Sequence, residues 1–293
     1  MNHFIACGDL HADKNRPQYR KDNYWGTWQH KMLSVVSIAN DRDARLLIAG
    51  DIFNTSRVSP DVTNVVMAIF REAKYTPYVV AGQHDLRHHT DIEKTPLFTL
   101  AIAKAVKIIQ GHYKEFTGAG FEEEIPIATN TFLITHTCIT PRRPPFYLTD
   151  AISARSFVNM YPGYRIIISG DYHVPFHKKI GDTLLINTGT LIRNKKDMEN
   201  YTPYVWYIDT EEPTSLEKIV VPHEPYEDVF DIEAIEYNEK QGITIDTERL
   251  SRLIKSGIEH NDLDSVVTTL YKQLKEEGVH INKELMEEVL SNA

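Results

Sequence analysis

Eight residues of this 293-residue chain carry side chains suited to holding a divalent cation. They fall in five tight groups: Asp9 with His11, Asp51, Gln83 with His84, His136, and Asp171 with His173. Carboxylate and amide oxygens and imidazole nitrogens, with no thiolate among them, suit Mn²⁺, Mg²⁺, Zn²⁺ or Fe in an open hydrolytic site better than a closed structural zinc. The set fits two ions, with Asp9, His11 and His173 on one, Gln83, His136 and Asp171 on the other, and Asp51 bridging. Two divalent ions held roughly 3.5 to 4 Å apart clamp both the attacking and the leaving oxygen of a phosphoryl transfer. The expected chemistry is hydrolysis of a phosphate ester. One such Asp or His alone would mean little, since either is commonly satisfied within its own turn. The weight lies in the repetition.

Each group follows a short apolar run, as expected of buried strands that deliver polar tips to one end of a sheet. The runs are His3 to His11, Arg45 to Asp51, Pro77 to Asp85, Thr131 to His136 and Tyr164 to His173, and Asp51 is the natural centre of the set. Gly50 and Gly82 stand where the chain must turn sharply before a donor. Between the runs, Trp28, Met32, Val35, Val36 and Ala39 recur at helical spacing and predict a helix from about Trp25 to Asn40. Ser59-Pro60 opens a second helix that ends near Lys74. A third helix is expected over Thr95 to Ala105 and a fourth over Thr149 to Met160. Further strands are expected at Val106 to Ile109, within Gly118 to Ile127, and at Thr183 to Asn187, Tyr204 to Asp209 and Leu216 to Val221. Many strands and few helices point to two sheets packed face to face with helices outside.

No window has the length and apolarity of a membrane span, so a soluble, cytoplasmic protein without membrane contact is expected. Cys7 and Cys138 lie in apolar contexts and predict buried thiols, not a disulfide. The charge is unevenly spread. From Tyr226 onward 7 Lys and Arg face 16 Asp and Glu, which is the whole net charge of −9, and the first 225 residues are neutral. A domain over 1–225 followed by an acidic, mostly helical appendage over 226–293 is therefore expected. In the appendage Val229 to Tyr237 reads as a strand, and 247–257, 263–277 and 282–291 read as helices whose apolar faces could dock a partner. Basic patches facing a polyanion remain open to the neutral part. The proline-rich Thr140 to Tyr147 carries Arg142 and Arg143 as candidate phosphate contacts.

Asp9-x-His11, Gly50-Asp51, Gly82-Gln83-His84-Asp85, His136 and Gly170-Asp171-x-His173 resemble the five blocks of the calcineurin-like metallophosphoesterases. Within them, Gly50 to Pro60 (G-D-I-F-N-T-S-R-V-S-P) and Asn187 to Arg193 (N-T-G-T-L-I-R) are similar to SbcD-type nuclease subunits of DNA double-strand-break repair. The resemblance covers about Met1 to Val221. It implies an α/β fold in which a four-layer αββα sandwich precedes the appendage, Mn²⁺ dependence with Mg²⁺ as the alternative, and exonuclease and endonuclease activity on DNA. It also implies an SbcC-type coiled-coil ATPase partner, and a homodimer is a further expectation. His84 would protonate or steer the leaving oxygen, and Asp85 would orient His84 or hold the turn. Asn187 to Arg193 would line the cleft, with Lys178, Lys179, Arg193, Lys195 and Lys196 as phosphate contacts. The sequence departs from the pattern at Gln83, where the family has Asn, at Asp171, where it has His, and at Asn54, where SbcD-type nucleases have a His near the substrate. A small-molecule phosphatase or phosphodiesterase, or a catalytically weak DNA-binding subunit, stands as the alternative.

Overall fold

The computed structural model describes residues 2–129, 131–145, 148–211 and 214–240. In chain order the strands are β1 (His3–Cys7), β2 (Arg45–Ile48), β3 (Tyr78–Val79), β4 (Lys107–Ile108), β5 (Gly111–Tyr113), β6 (Phe116–Ala119), β7 (Phe132–Thr135), β8 (Ile139–Thr140), β9 (Ile152–Ser153), β10 (Ile166–Ser169), β11 (Phe176–Ile180), β12 (Thr183–Asn187), β13 (Tyr204–Asp209) and β14 (Ser215–Val220). The helices are α1 (Tyr24–Asp41), α2 (Pro60–Arg71), α3 (Pro96–Ile102), α4 (Ala154–Met160), α5 (Tyr226–Val229) and α6 (Ile232–Lys240). A 3-10 turn spans Gln83–Asp85.

One sheet has the order β14-β13-β1-β2-β3-β4 and the other β11-β12-β10-β7-β6-β5. In the first sheet β1 to β4 run parallel out to one edge and β13 and β14 add antiparallel pairings at the other; in the second the four central strands run parallel and β11 and β5 pair antiparallel at the edges. Alternation along the strands divides their apolar side chains between two faces. Phe4, Ala6, Leu47 and Ala49 of the first sheet meet Phe116, Phe132, Ile134, Ile166 and Ile168 of the second in the central core. Ile5, Cys7, Leu46 and Ile48 turn the other way and pack under α1, α2 and α3. Leu133, Ile167 and Leu185 cover the outer face of the second sheet beneath Phe157 and Val158 of α4. The result is the expected four-layer sandwich.

Helix α1 begins where the Asn23 side chain accepts from the Gly26 N–H at 3.2 Å. It buries Trp28, Met32, Val35, Val36 and Ala39, each worth about 1.5–3 kcal/mol for the larger side chains. Cys7 is a buried thiol and Cys138 a half-buried one. Burial, then the nearby Asp9 charge, pushes the Cys7 thiol up to about 12.

Four sequence expectations need correction. The stretch after Gly118 is not a strand: β6 ends at Ala119, the Gly120 N–H is taken by the Glu123 side chain at 2.8 Å, and Pro126 cannot donate to a ladder. Thr149 to Met160 is helical only from Ala154, where the Ser153 hydroxyl caps the Ser156 N–H at 3.2 Å and Ile152 pairs with Ile139 instead. Strand β11 was not expected, although F-H-K-K-I alternates. Val229 to Tyr237 forms α5 and α6, not a strand, because the Asp231 carboxylate caps the Ala234 N–H at 3.1 Å and starts a helix despite the β-branched residues.

The chain divides into one compact unit of 1–144 with 148–230 and another of 145–147 with 231–293. The helices expected over 247–257, 263–277 and 282–291 lie outside the described residues. Among the described residues no helix is long and apolar enough to cross a membrane.

Candidate metal centre

The donors leave the carboxyl ends of parallel strands from both sheets, where open α/β sheets commonly place their sites. Asp9 and His11 follow β1, Asp51 follows β2, Gln83 and His84 follow β3, His136 follows β7, and Asp171 and His173 follow β10. Beyond β1 and β2 the backbone bonding continues, with Asp9 N–H donating to Gly50 O at 3.1 Å and His11 N–H to Asp51 O at 3.0 Å. The Trp28 indole ties this loop to α1 by donating to Leu10 O at 2.7 Å. Asp9, His11, Asp51 and Asp171 all have positive φ, between 46° and 72°. Non-glycine residues take that conformation seldom, and such strain concentrates at functional sites. Gly50, at φ 88°, meets the expectation of a turn only glycine adopts easily. Gly82 is needed for a different reason: a Cβ there would stand 2.1 Å from Asp51 Oδ1.

Three overlapping clusters bring donor atoms within 4.8 Å of one another: Asp9, His11 and His173; His11, Asp51 and His84; and Asp9, Asp51 and His136. His11 Nε2 lies 3.2 Å from His173 Nε2, and His136 Nε2 lies 3.4 Å from Asp51 Oδ2. His11 Nε2 is 4.0 Å and His84 Nε2 is 3.9 Å from the same oxygen, and His173 Nε2 is 3.9 Å from Asp9 Oδ1. Donors on one ion, with bonds of about 2.0–2.2 Å, stand at most ~4.4 Å apart, so these spacings admit a shared cation. His136 Nε2 and Asp51 Oδ2 attract as charges without hydrogen-bond alignment. Both atoms, with His11 Nδ1 and Gln83 Oε1, are buried without a partner. Buried atoms left so cost about 1–3 kcal/mol each, a penalty that a cation facing Asp51 Oδ2, Gln83 Oε1 and His136 Nε2 removes. The residues therefore fit divalent ions.

The electrostatics agree at His11 and Asp51, whereas Asp9 and His136 must release a proton to ligate. Burial first, then repulsion from His173, lowers His11 to about 3, which keeps its imidazole neutral as a ligand must be. Burial raises Asp9 well above the ordinary carboxyl range, with His136 opposing and Asp51 and Asp171 adding to the rise. Burial also works against charge on Asp51 and His136, but the two overcome it for each other. Asp51 is held below its ordinary value and His136 well above. His136 Nδ1–H donates to Ala49 O at 2.6 Å, which leaves Nε2 facing Asp51. His84 is half-exposed, its backbone N–H donates to Asp51 Oδ1 at 2.9 Å, and its ring meets His11 edge-on.

Other expected site residues have other work. Asp85 is fully buried and its carboxylate accepts from Phe53 N–H at 3.0 Å, Gly82 N–H at 3.0 Å and Ile52 N–H at 3.3 Å. It staples the Asp51 loop to the Gln83 turn, the second of the two roles expected for it. Asn54 is exposed and its amide donates to Asp13 Oδ2 at 3.0 Å. Arg142 and Arg143 are exposed, and Lys178, expected at phosphate, instead donates to Pro141 O at 2.7 Å and anchors their loop.

Asn187 to Arg193, expected to line the cleft with Arg193 as a substrate contact, is occupied in bonds within the chain. Asn187, Thr188, Thr190, Leu191, Ile192 and Arg193 are buried. The Arg193 guanidinium donates to Tyr201 O and Glu224 O, both at 2.8 Å. The stretch is a bracket: Asn187 donates to Tyr172 O and Val174 O, and Thr190 donates to Asp9 O at 2.9 Å and receives its register from His173 O. It thus holds the two loops that carry Asp9, His11 and His173. Thr190 was missed in the sequence because a threonine in a turn has no signature of what it bonds. Lys31 and Arg20 support the bracket by donating to Leu191 O at 3.0 Å and Arg193 O at 2.6 Å.

A two-sheet sandwich with clustered hard donors at its strand ends is the frame of a metal-dependent phosphoesterase. Residues 1–211 match the calcineurin-like phosphoesterase superfamily domain, and the chain belongs to that superfamily. No curated protein matches it in sequence. Similar solved structures include an archaeal phosphodiesterase, at 15% identity and TM-score 0.44 over 75% of this chain and 99% of that one. TT1561 of Thermus thermophilus is similar at 11% identity and TM-score 0.48, over 75% and 99%. A 5'-nucleotidase described as putative, from Staphylococcus aureus, is similar at 11% and 0.42, over 81% and 57%.

Proposed function

We propose that this phosphoesterase is a nuclease that cleaves phosphodiester bonds of DNA, using two divalent ions, Mn²⁺ before Mg²⁺. The observation that carries the hydrolytic reading is the meeting of unpartnered Asp51, Gln83 and His136 atoms, with His11 Nε2 near Asp51 Oδ2, at the ends of strands from both sheets. Asp9, His11 and His173 would hold one ion, Gln83 and His136 the other, and Asp51 would bridge. The ions supply the Lewis acidity that in-line attack on phosphorus requires. His84 is anchored through its backbone on Asp51 with its imidazole half-exposed, which suits delivery of a proton to the departing oxygen. Support for DNA as substrate is the likeness of Gly50 to Pro60 and Asn187 to Arg193 to SbcD-type nucleases, together with the exposed Arg142 and Arg143 on an anchored loop.

The test is incubation with Mn²⁺ and linear duplex DNA beside an aryl phosphodiester and an aryl phosphomonoester. Shortening of the DNA is expected. Consumption of the aryl esters alone would replace the reading with a small-molecule phosphatase or phosphodiesterase. In a cytoplasmic repair complex the acidic tail would dock a coiled-coil ATPase subunit. Removal of 262–293 should then spare cleavage of short DNA and abolish co-purification with such a partner, and retained co-purification would refute the docking role.

A further inference from the structure

Two of the three residues that set this chain apart from its family's pattern touch each other. Gln83 Nε2 donates to Asp171 Oδ1 at 3.0 Å, across 88 residues of sequence. The carboxylate of Asp171 belongs to none of the three donor clusters found among the described residues. Its partner's other amide atom, Gln83 Oε1, is buried with nothing bound to it.

Resting on the metal-centre reading above, we propose that Asp171 is a positioning residue that aims the Gln83 amide oxygen at an ion, and that it is not itself an ion ligand. A carboxylate only accepts hydrogen bonds, whereas an amide has a donating and an accepting end. Facing Asp171, the Gln83 amide must present its NH₂, so the oxygen points away. Turned over, two acceptors would confront each other. The longer Gln side chain brings a freedom of rotation that a second residue must remove, and Asp171 removes it. The backbone adds a second constraint: the Asp171 N–H donates to both Asp9 oxygens, at 3.1 and 3.2 Å, so one residue braces donors on both halves of the centre. Asp171 adopts φ 72°, a conformation open to Asn and Gly with little strain, which makes those two replacements clean probes.

The experiment is calorimetric titration of the full-length protein with Mn²⁺ alone, after dialysis against a chelator, with thermal unfolding of each variant as a check on folding. Asp171→Gly should weaken one Mn²⁺ site by about 10–100-fold, the usual effect of losing a ligand's supporting partner. Gln83→Ala should weaken the same site, and the double variant should be no weaker than Gln83→Ala by itself. Asp171→Asn keeps an oxygen that accepts from Gln83 but loses the charge, and it should retain affinity within a few-fold of wild type. If Asp171→Asn loses as much as Asp171→Gly, or the losses of the two single variants multiply in the double, Asp171 is a ligand and the inference is overturned. Wild-type protein that takes up no Mn²⁺ would overturn the metal-centre reading itself and this inference with it.

Discussion

Lys31 offers a test of how the bracket behind the metal centre is built. The residue is 6% exposed, and its ammonium donates to Leu191 O at 3.0 Å and shares its surroundings with Arg20 and Arg193. Burial first, then those two guanidinium charges, lowers its pKa from 10.5 to about 7, with Asp22 opposing. A lysine whose folded value lies below its unfolded value takes up protons on unfolding between the two. Stability must therefore rise with pH from about 7 to about 10, at up to ~1.4 kcal/mol per pH unit. Summed over that window the contribution is on the order of 5 kcal/mol before the Leu191 bond is counted, and a hydrogen bond to a charged group returns about 1.5–3 of it. Lys31→Met keeps the length and loses the proton. The variant should be as stable as wild type or more so at pH 6, where wild type buries an ammonium, and should fall behind it by pH 10 as the Leu191 carbonyl is left unpaired. Urea unfolding of both proteins at pH 6, 8 and 10, with chelator present to remove bound ions, measures the difference. Tyrosine and other lysine titrations are common to both and cancel. Stability curves that stay parallel from pH 7 to 10 would show that Lys31 keeps its charge in the fold, and the reasoning would fail.

His84→Ala should lower turnover by about 10²–10⁴-fold while leaving Mn²⁺ binding nearly intact, because its backbone bond to Asp51 survives; an equal loss in calorimetry would make His84 a ligand. Gly82→Ala drives a methyl group to 2.1 Å from Asp51 Oδ1 and 2.4 Å from Asp51 N. It should destabilise the fold by about 1–3 kcal/mol and abolish tight ion binding, as read by thermal unfolding with and without Mn²⁺. In the wild type, Mn²⁺ at a hundred times its dissociation constant should add about 2.7 kcal/mol of stability per ion bound, which a chelator removes. Chemical denaturation curves that coincide with and without the ion would count against the centre.

Much of the chemistry is legible in the sequence because strands and their tips are local events. Apolar runs such as Leu46 to Ala49 end where a donor begins, and alternation commits their faces to two cores whatever lies around them. The sites of Asp9, His11, Asp51, His84, His136 and His173 follow from that pattern, as does the four-layer fold. The parts that failed or stayed open depend on partners far away in the chain. Asp85 reads as orienting His84 or holding the turn, and only the three backbone N–H groups that reach it from two loops decide for the turn. Arg193 and Lys178 read as phosphate contacts, yet carbonyls of Tyr201, Glu224 and Pro141 reach them first. Val229 to Tyr237 carries strand formers, and one capping carboxylate at Asp231 makes a helix of it. Side-chain type and spacing state what a residue is able to bond. Only folding decides which buried carbonyl or amide stands unpaired beside it, and a buried polar group is satisfied before it is free to act on a substrate.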